Sequence, residues 1–232
     1  MAEKIKYTRK DLKGPDEFMT TLGRGVTWGK ENRPKLLFAV AAIALVIAGG
    51  AGTAAYLRWQ EEKATANLWP HLNRAREFLQ APTAADAEKL ARIEQFLVAH
   101  VNAHPKTKAA LYARYYLGSI AYIRGNYDMS VGRFREALVA AKDQPDMAYL
   151  VRTGLAQALE AKGDMANAAA AYKDAAESAS GALRAEARMG QARTLLLQGR
   201  RDDAAAIYRA VIAENPDSPQ KELAELKLSR IG

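Results

Sequence analysis

Three histidines, His71, His100 and His104, are the side chains best suited to metal or acid–base chemistry. His100 and His104 are four positions apart, so on a helix they would share one face, as metal-binding pairs do. However, Val101 replaces the glutamate of the H-E-x-x-H motif, no third ligand is close in sequence, and Pro105 interrupts the helix. We therefore predict no metal site.

A glycine-rich stretch resembles a phosphate-binding loop only superficially. Five residues separate Gly23 from Gly29, three separate Gly25 from Gly29, and Glu31 follows Lys30. A phosphate loop needs four residues between its glycines and a Ser or Thr after its lysine. No cysteine is present, which excludes disulfides, thiolate catalysis and a lipid-modified cysteine. With no G-x-S-x-G or dinucleotide motif either, we predict no catalytic residues and no cofactor.

The composition predicts an all-α protein. Hydrophobic residues make up 49% of the chain but aromatic residues only 8%, so alanine and leucine dominate the apolar content and favour helix. The net charge is +8. Residues 1–35 have nine Lys/Arg and five Asp/Glu, whereas residues 58–232 have 25 and 21. The larger region lacks the dense basic face of a nucleic-acid-binding protein, so we expect no nucleic-acid partner. Because no catalytic motif is present, we also expect no small-molecule substrate.

An uncharged stretch of 22 residues, Leu36–Leu57, predicts a transmembrane helix. Lys35 and Arg58 bound it, while Tyr56 and Trp59 lie where interfacial aromatic residues occur. A cleaved signal peptide is the competing interpretation, although the stretch is about twice the usual length of a signal core. The positive charges of the short tail predict a cytoplasmic N-terminus and a C-terminal domain on the other side of the membrane.

Two smaller features lie in this N-terminal part. The tail at 1–35 is either an interfacial or docking helix opened by Pro15 and Asp16, or partly disordered because of its glycines. In the apolar helix, small residues recur on one face, as in close helix–helix packing, although ordinary alanine-rich membrane sequence shows the same pattern. These residues are Ala44, Ala48, Gly52 and Ala55.

The remaining sequence contains three similar stretches, at 111–138, 149–176 and 185–212. They align on turn glycines 36 to 38 residues apart, Gly125, Gly163 and Gly199. The first helix of each stretch has a small site at Gly118, Ala156 and Ala192. The second helix has a small site at Ser130, Ala168 and Ala204, and an aromatic site at Phe134, Tyr172 and Tyr208.

These positions are similar to the tetratricopeptide (TPR) consensus. The resemblance implies paired antiparallel helices stacked into a solenoid that binds proteins; a generic helical bundle is the alternative. We expect five regions: a basic tail at 1–35, the membrane helix at 36–57, and a stalk with a degenerate leading hairpin at 58–104. Three repeats follow at 105–217 and a capping helix at 218–232. The leading hairpin would have helices at 60–80 and 84–103, Pro216 would end the third repeat, and the cap would present Leu223, Leu226 and Leu228 as an apolar stripe.

By the consensus, inward-facing positions on the first helices form a groove for polypeptide. We assign it Tyr112, Tyr115, Ser119, Tyr122, Thr153, Gln157, Met189 and Arg193. Several of these tyrosines could instead pack against the leading hairpin. An anion site at Arg152, Arg188 and Arg193 is less expected than pairing of these arginines with nearby carboxylates.

The whole arrangement resembles the single-pass ancillary subunit family of the bacterial Sec translocon. The resemblance implies a protein of the bacterial inner (plasma) membrane with a periplasmic TPR domain. Its partners would be membrane lipid, translocon subunits, and emerging polypeptides that it passes to periplasmic chaperones. A TPR adaptor for another envelope complex, such as one for cell division or respiratory assembly, is the alternative.

Overall fold

The computed structural model describes residues 17–80, 87–214 and 218–231, and in these ranges the chain forms ten α-helices. The first five are α1 (Glu17–Glu31), α2 (Arg33–Gln80), α3 (Ala87–Ala103), α4 (Lys108–Ile123) and α5 (Tyr127–Ala140). The others are α6 (Pro145–Lys162), α7 (Met165–Glu177), α8 (Gly181–Leu197), α9 (Arg201–Glu214) and α10 (Pro219–Leu228). The expectation of an all-α chain is confirmed for the described residues.

The chain divides into two compact units, Met1–Arg58 and Trp59–Gly232. In the first unit, α1 is helical through its three glycines, so the helical interpretation of the tail is confirmed for Glu17–Glu31. Pro15 and Asp16, the predicted start of that helix, lie outside the described residues.

Helix α2 contains the apolar stretch. Among the described helices it is the one long and apolar enough to cross a membrane, judged by length and composition. Its most apolar stretch of 18 residues is entirely exposed. The four small residues Ala44, Ala48, Gly52 and Ala55 are also exposed. Such a surface has no packing partner within the described chain.

The second unit contains the repeats as helical hairpins, α4–α5, α6–α7 and α8–α9, in which each helix packs against the next. The three turn glycines adopt the left-handed conformation, with φ of +75° at Gly125, +90° at Gly163 and +77° at Gly199. A side chain is strained at such φ values, which explains why each turn has glycine. The predicted hairpins and turns are confirmed.

All nine predicted small and aromatic sites are buried, as the TPR pattern requires. The ring of Phe134 lies between two glycines of neighbouring helices. A Cβ atom added to Gly118 would be 2.9 Å from the ring, and one added to Gly154 would be 2.6 Å from it. The same arrangement recurs one repeat later, where a Cβ atom on Gly190 would be 2.6 Å from Tyr172. Glycine therefore lets each ring of α5 and α7 approach the backbone of the next hairpin.

The leading hairpin consists of the C-terminal part of α2 and of α3, and the residues between its two predicted helices lie outside the described residues. Leu68 and Leu72 of α2 pack with Leu97 of α3 and with residues of α4 in one hydrophobic cluster. The Glu61 carboxylate also accepts hydrogen bonds from the first backbone N–H groups of α4, at 2.9 and 3.2 Å. These contacts join the leading hairpin to the first repeat.

The capping helix α10 begins as predicted, with Ser218 as N-cap and Pro219 in its first turn. The predicted apolar stripe of α10 is wrong for two of its three leucines, which do not pack against the last repeat. Leu223 and Leu226 are instead 45% and 48% exposed. The helix instead turns Ala224 and Leu228 inward, four residues apart on one face. Pro216 lies outside the described residues, and the boundaries of the five regions stay predictions.

Candidate protein-binding groove

Five of the eight predicted groove residues line one cavity of about 410 Å³: Tyr115, Ser119, Tyr122, Thr153 and Gln157. They share this wall with apolar residues of five helices, namely Leu79, Ile123, Phe134, Leu150 and Leu183. The repeat pattern thus predicted residues of α4 and α6 that the fold brings together. Their role in binding stays a prediction.

The five residues meet because each helix presents one face. Tyr115, Ser119 and Tyr122 are spaced by four and three residues on α4, and Thr153 and Gln157 by four on α6. The Ser119 hydroxyl donates to the Tyr115 carbonyl at 3.1 Å, and the Thr153 hydroxyl to the Tyr149 carbonyl at 2.9 Å. Because both hydroxyls are bonded within their own helices, this wall presents mainly aromatic and aliphatic surface.

A second cavity of about 540 Å³ lies beside the start of α6 and the turn between α7 and α8. Tyr149, Leu150 and Leu183 line both cavities, which therefore adjoin. We call the two cavities together the inner groove. The buried Tyr149 ring joins two of its walls, because its hydroxyl donates to the Leu183 carbonyl at 3.0 Å. Burial raises the pKa of Tyr149, so this donor keeps its proton at neutral pH.

The other three predicted residues do not line the inner groove. Tyr112 is exposed on α4, whereas Met189 is half-buried against the cluster that includes Tyr208 and Val211. Arg193 forms part of a polar network instead. The consensus assigns positions of the third repeat to the same surface, but in the structure Met189 packs against the cluster that includes Tyr208 and Ala224 and is half-buried there.

The network around Arg193 joins three helices. Its guanidinium donates to both carboxylate oxygens of Glu160, at 2.7 and 2.6 Å, and to the Tyr172 hydroxyl at 3.1 Å. Burial acts to raise the pKa of Glu160, but hydrogen bonds and charge from Arg193 hold it below its ordinary value. Burial, together with the Glu160 charge, raises the pKa of Tyr172. Glu160 is therefore ionised and Tyr172 protonated at neutral pH.

The candidate anion site is not assembled. Arg188 pairs with Glu214 at 2.6 Å and Arg193 pairs with Glu160. The interpretation that these arginines pair with local carboxylates is confirmed for both.

The predicted groove does not include Leu79, Tyr149 and Leu183, which line it in the structure. Nor do the predicted sites include Gly154 and Gly190, which contact the aromatic rings. The two glycines had a visible signal, because they occupy the sixth position of the second and third aligned stretches. The sixth position of the first stretch is a tyrosine, Tyr116. In the second and third stretches, glycine thus lies where a ring from the preceding hairpin makes contact.

The three histidines lie near one another between α2 and α3. The His71 ring stacks on Phe96 with centroids 3.5 Å apart, and the His100 and His104 rings are 5.0 Å apart. His100 is buried, and its Nε2 has no hydrogen-bond partner in the described chain. Within the described ranges, no three His, Asp or Glu residues are arranged to hold a metal ion.

The tetratricopeptide repeat family model matches residues 125–182 and 153–219, which include the second and third hairpins. The chain contains tetratricopeptide repeats. TPR repeats are a protein-interaction scaffold, so a protein-binding scaffold is the function class of this domain. No curated protein matches the sequence.

Solved structures share the TPR-like fold. One is a chain from Podosopora anserina described as a kinesin light chain with nearly identical TPR-like repeats, at 14% identity and a TM-score of 0.58. The match covers 71% of this chain and 85% of that one, and a single-substitution variant of the same protein gives a TM-score of 0.58 with 84% covered. YrrB, a TPR protein with an unusual peptide-binding site, shares 17% identity over 71% of this chain and 97% of its own. Its TM-score of 0.29 is too low for a comparison of sites.

Proposed function

We propose that this protein is a membrane-anchored TPR scaffold whose inner groove binds segments of other proteins outside the cytoplasm. The observation that carries the proposal is the convergence of Tyr115, Tyr122, Thr153 and Gln157 on one cavity that adjoins a second. Tyrosine rings and leucine side chains give a large contact area with few groups that need a hydrogen-bond partner, which suits polypeptide ligands.

A photo-reactive amino acid at Gln157 tests the groove. Gln157 is exposed and lines the cavity, so its replacement should leave the fold intact while crosslinking a bound segment. The matched control is the same replacement at Glu222, an exposed residue of α10 outside the inner groove. Polypeptide adducts at position 157 and not at 222 are expected. Equal adducts at both positions would contradict binding in the groove.

The membrane anchor is supported by the apolar, uncharged and wholly exposed surface of α2 over residues 36–57. The expected result of cell fractionation is that the intact chain stays with membranes in alkaline carbonate and is released by detergent. Recovery of the intact chain in the soluble fraction without detergent would refute the anchor. A C-terminal reporter that is active only outside the cytoplasm tests the orientation, and we expect it to be active.

We propose that the partner of this protein is the bacterial Sec translocon, with which it associates as an ancillary subunit. The proposal is supported by the order of a basic tail, one apolar helix and a TPR domain. Purification of the tagged full chain in a mild detergent should recover translocon subunits in stoichiometric amounts. Stoichiometric recovery of a different envelope complex would identify that complex, and not the translocon, as the partner. The proposal of a protein-binding scaffold would still hold.

A further inference from the structure

The inner groove is acidic, although the domain as a whole is not. Its two cavities are lined by three carboxylates, Asp146, Glu177 and Glu186, and by no lysine or arginine. Residues 58–232, by contrast, have 25 Lys/Arg and 21 Asp/Glu. The sign of the groove therefore differs from that of the domain around it.

The arginines nearest to Glu186 along α8 form hydrogen bonds or ion pairs with other groups. Arg184 donates to the Ala179 carbonyl at 2.9 Å, and Arg188 and Arg193 pair with Glu214 and Glu160. Glu186 itself is exposed and forms no ion pair within the described residues. Its charge consequently faces the groove without a cation to neutralise it.

The other two carboxylates are also largely uncompensated. Asp146, in the first turn of α6, forms no ion pair in the part of the chain that the structure describes. Glu177 lies 3.7 Å from Lys173, and both side chains are more than half exposed. Exposed pairs of this kind contribute little free energy, so the Lys173 contact leaves Glu177 available to a ligand.

Apolar side chains stand beside these charges. Leu150 and Leu183, which line both cavities, are 42% and 49% exposed, and Ile123 of the first cavity is also exposed. A ligand that covered them would remove apolar surface from water, which favours binding. The groove thus offers apolar burial and negative charge within one surface.

We infer that the inner groove selects polypeptide segments in which lysine or arginine lies next to leucine-like side chains. This inference rests on the proposed function, to which it adds the chemistry of the bound segment. The apolar side chains of the segment cover Leu150 and Leu183, and its cationic side chains pair with Glu186 and Asp146. Acidic segments are excluded, because their charges would face uncompensated carboxylates.

Three fluorescent peptides that differ only in charge test this selectivity on the full chain in detergent micelles. They are KLLAKLLAKA, QLLAQLLAQA and ELLAELLAEA. By fluorescence anisotropy at about 0.05 M salt, we expect the lysine peptide to bind about tenfold or more tightly than the glutamate peptide. At about 0.5 M salt the difference should shrink, because the charges are exposed and screened.

The variant Glu186→Lys should remove or reverse the preference for the lysine peptide. Glu222→Lys makes the same change of charge on α10, outside the inner groove, and should leave the preference intact. Equal affinity for all three peptides, or equal effects of the two substitutions, would overturn the charge inference but not groove binding. If none of the peptides binds, the inference and groove binding by these segments both fail.

Discussion

At the scale of single residues, the stacking of repeats depends on glycines that accept an aromatic ring. Tyr172 is wedged against Gly190 in the way that Phe134 is wedged against Gly154. These rings belong to one hairpin and the glycines to the next, so each contact contributes to the interface between repeats. In a solenoid, such nearest-neighbour interfaces hold much of the stability.

We expect Gly190→Ala to destabilise the domain by about 1–3 kcal/mol, because its Cβ atom would overlap the Tyr172 ring. Gly132→Ala is the matched control, since it lies inside α5 with no atom within 4 Å of an added Cβ. It should stabilise the helix by up to about 1 kcal/mol through the better helix propensity of alanine. Denaturant unfolding followed by circular dichroism measures both, and stabilisation by both would contradict the wedge.

His100 should make stability depend on pH. Burial, with smaller contributions from His104 and His71, lowers its pKa below the ordinary value of about 6.5. The unfolded chain then binds the proton more readily, so stability is full above pH about 6.5 and falls as the pH drops below it. Unfolding at pH 7.5 and 5.5 should show this loss.

In His100→Leu the loss on acidification should be smaller. The Nε2 atom of His100 has no partner in the described chain, so the substitution leaves no other group unpaired. Part of the dependence should remain, because burial also lowers the pKa of His71. An identical loss in the variant and the wild type would show that His100 does not contribute.

At the scale of elements, the sequence determined most of the hairpin architecture. Turn glycines, small sites and aromatic sites all recur with the same two spacings, 38 and then 36 residues, and each lies where the structure requires it. The rotation of α10 was not predictable in this way. Its leucines allow more than one inward face, and the contact of Ala224 and Leu228 with α8 and α9 decides between them. Packing against neighbouring helices also explains the groove. Most predicted groove residues of the first two repeats line it, whereas Met189 of the third repeat packs against the cluster of Tyr208 instead.

Helix α2 is joined to the first repeat by a capping contact between distant segments. Glu61 accepts from the N–H groups of Lys108 and Ala109, where the dipole of α4 favours a negative charge. We expect Glu61→Ala to cost about 1 kcal/mol, the usual effect of losing a helix N-terminal cap. Hydrogen exchange at these two amides should accelerate. Thr107 continues to cap Ala110, so α4 itself should persist.

The exposed neighbour Glu62 provides a control for this contact. Glu62→Ala removes the same charge from the next position of α2 and should leave exchange at Lys108 and Ala109 unchanged. Acceleration in both variants would mean that the general charge of α2, and not the cap, protects the start of α4.

At the scale of the whole chain, the TPR domain is a row of hairpins in which each contacts mainly its neighbours. The last hairpin is covered by α10, whose Ala224 and Leu228 join the cluster of Tyr208 and Val211. Stability in such a row is roughly a sum of repeat and interface contributions. A change at the C-terminal end should therefore weaken first the hairpin next to it.

We predict that deleting residues 218–232 accelerates hydrogen exchange in α8 and α9 while α4 and α5 keep most of their protection. The deletion uncovers the apolar surface around Tyr208 that α10 buries, and the capping helix of a solenoid exists to cover such a face. As a control, Leu223→Lys with Leu226→Lys changes only exposed side chains of α10 and should leave exchange unaltered. Equal loss of protection in all hairpins after the deletion would show that the domain unfolds as one cooperative unit and not hairpin by hairpin.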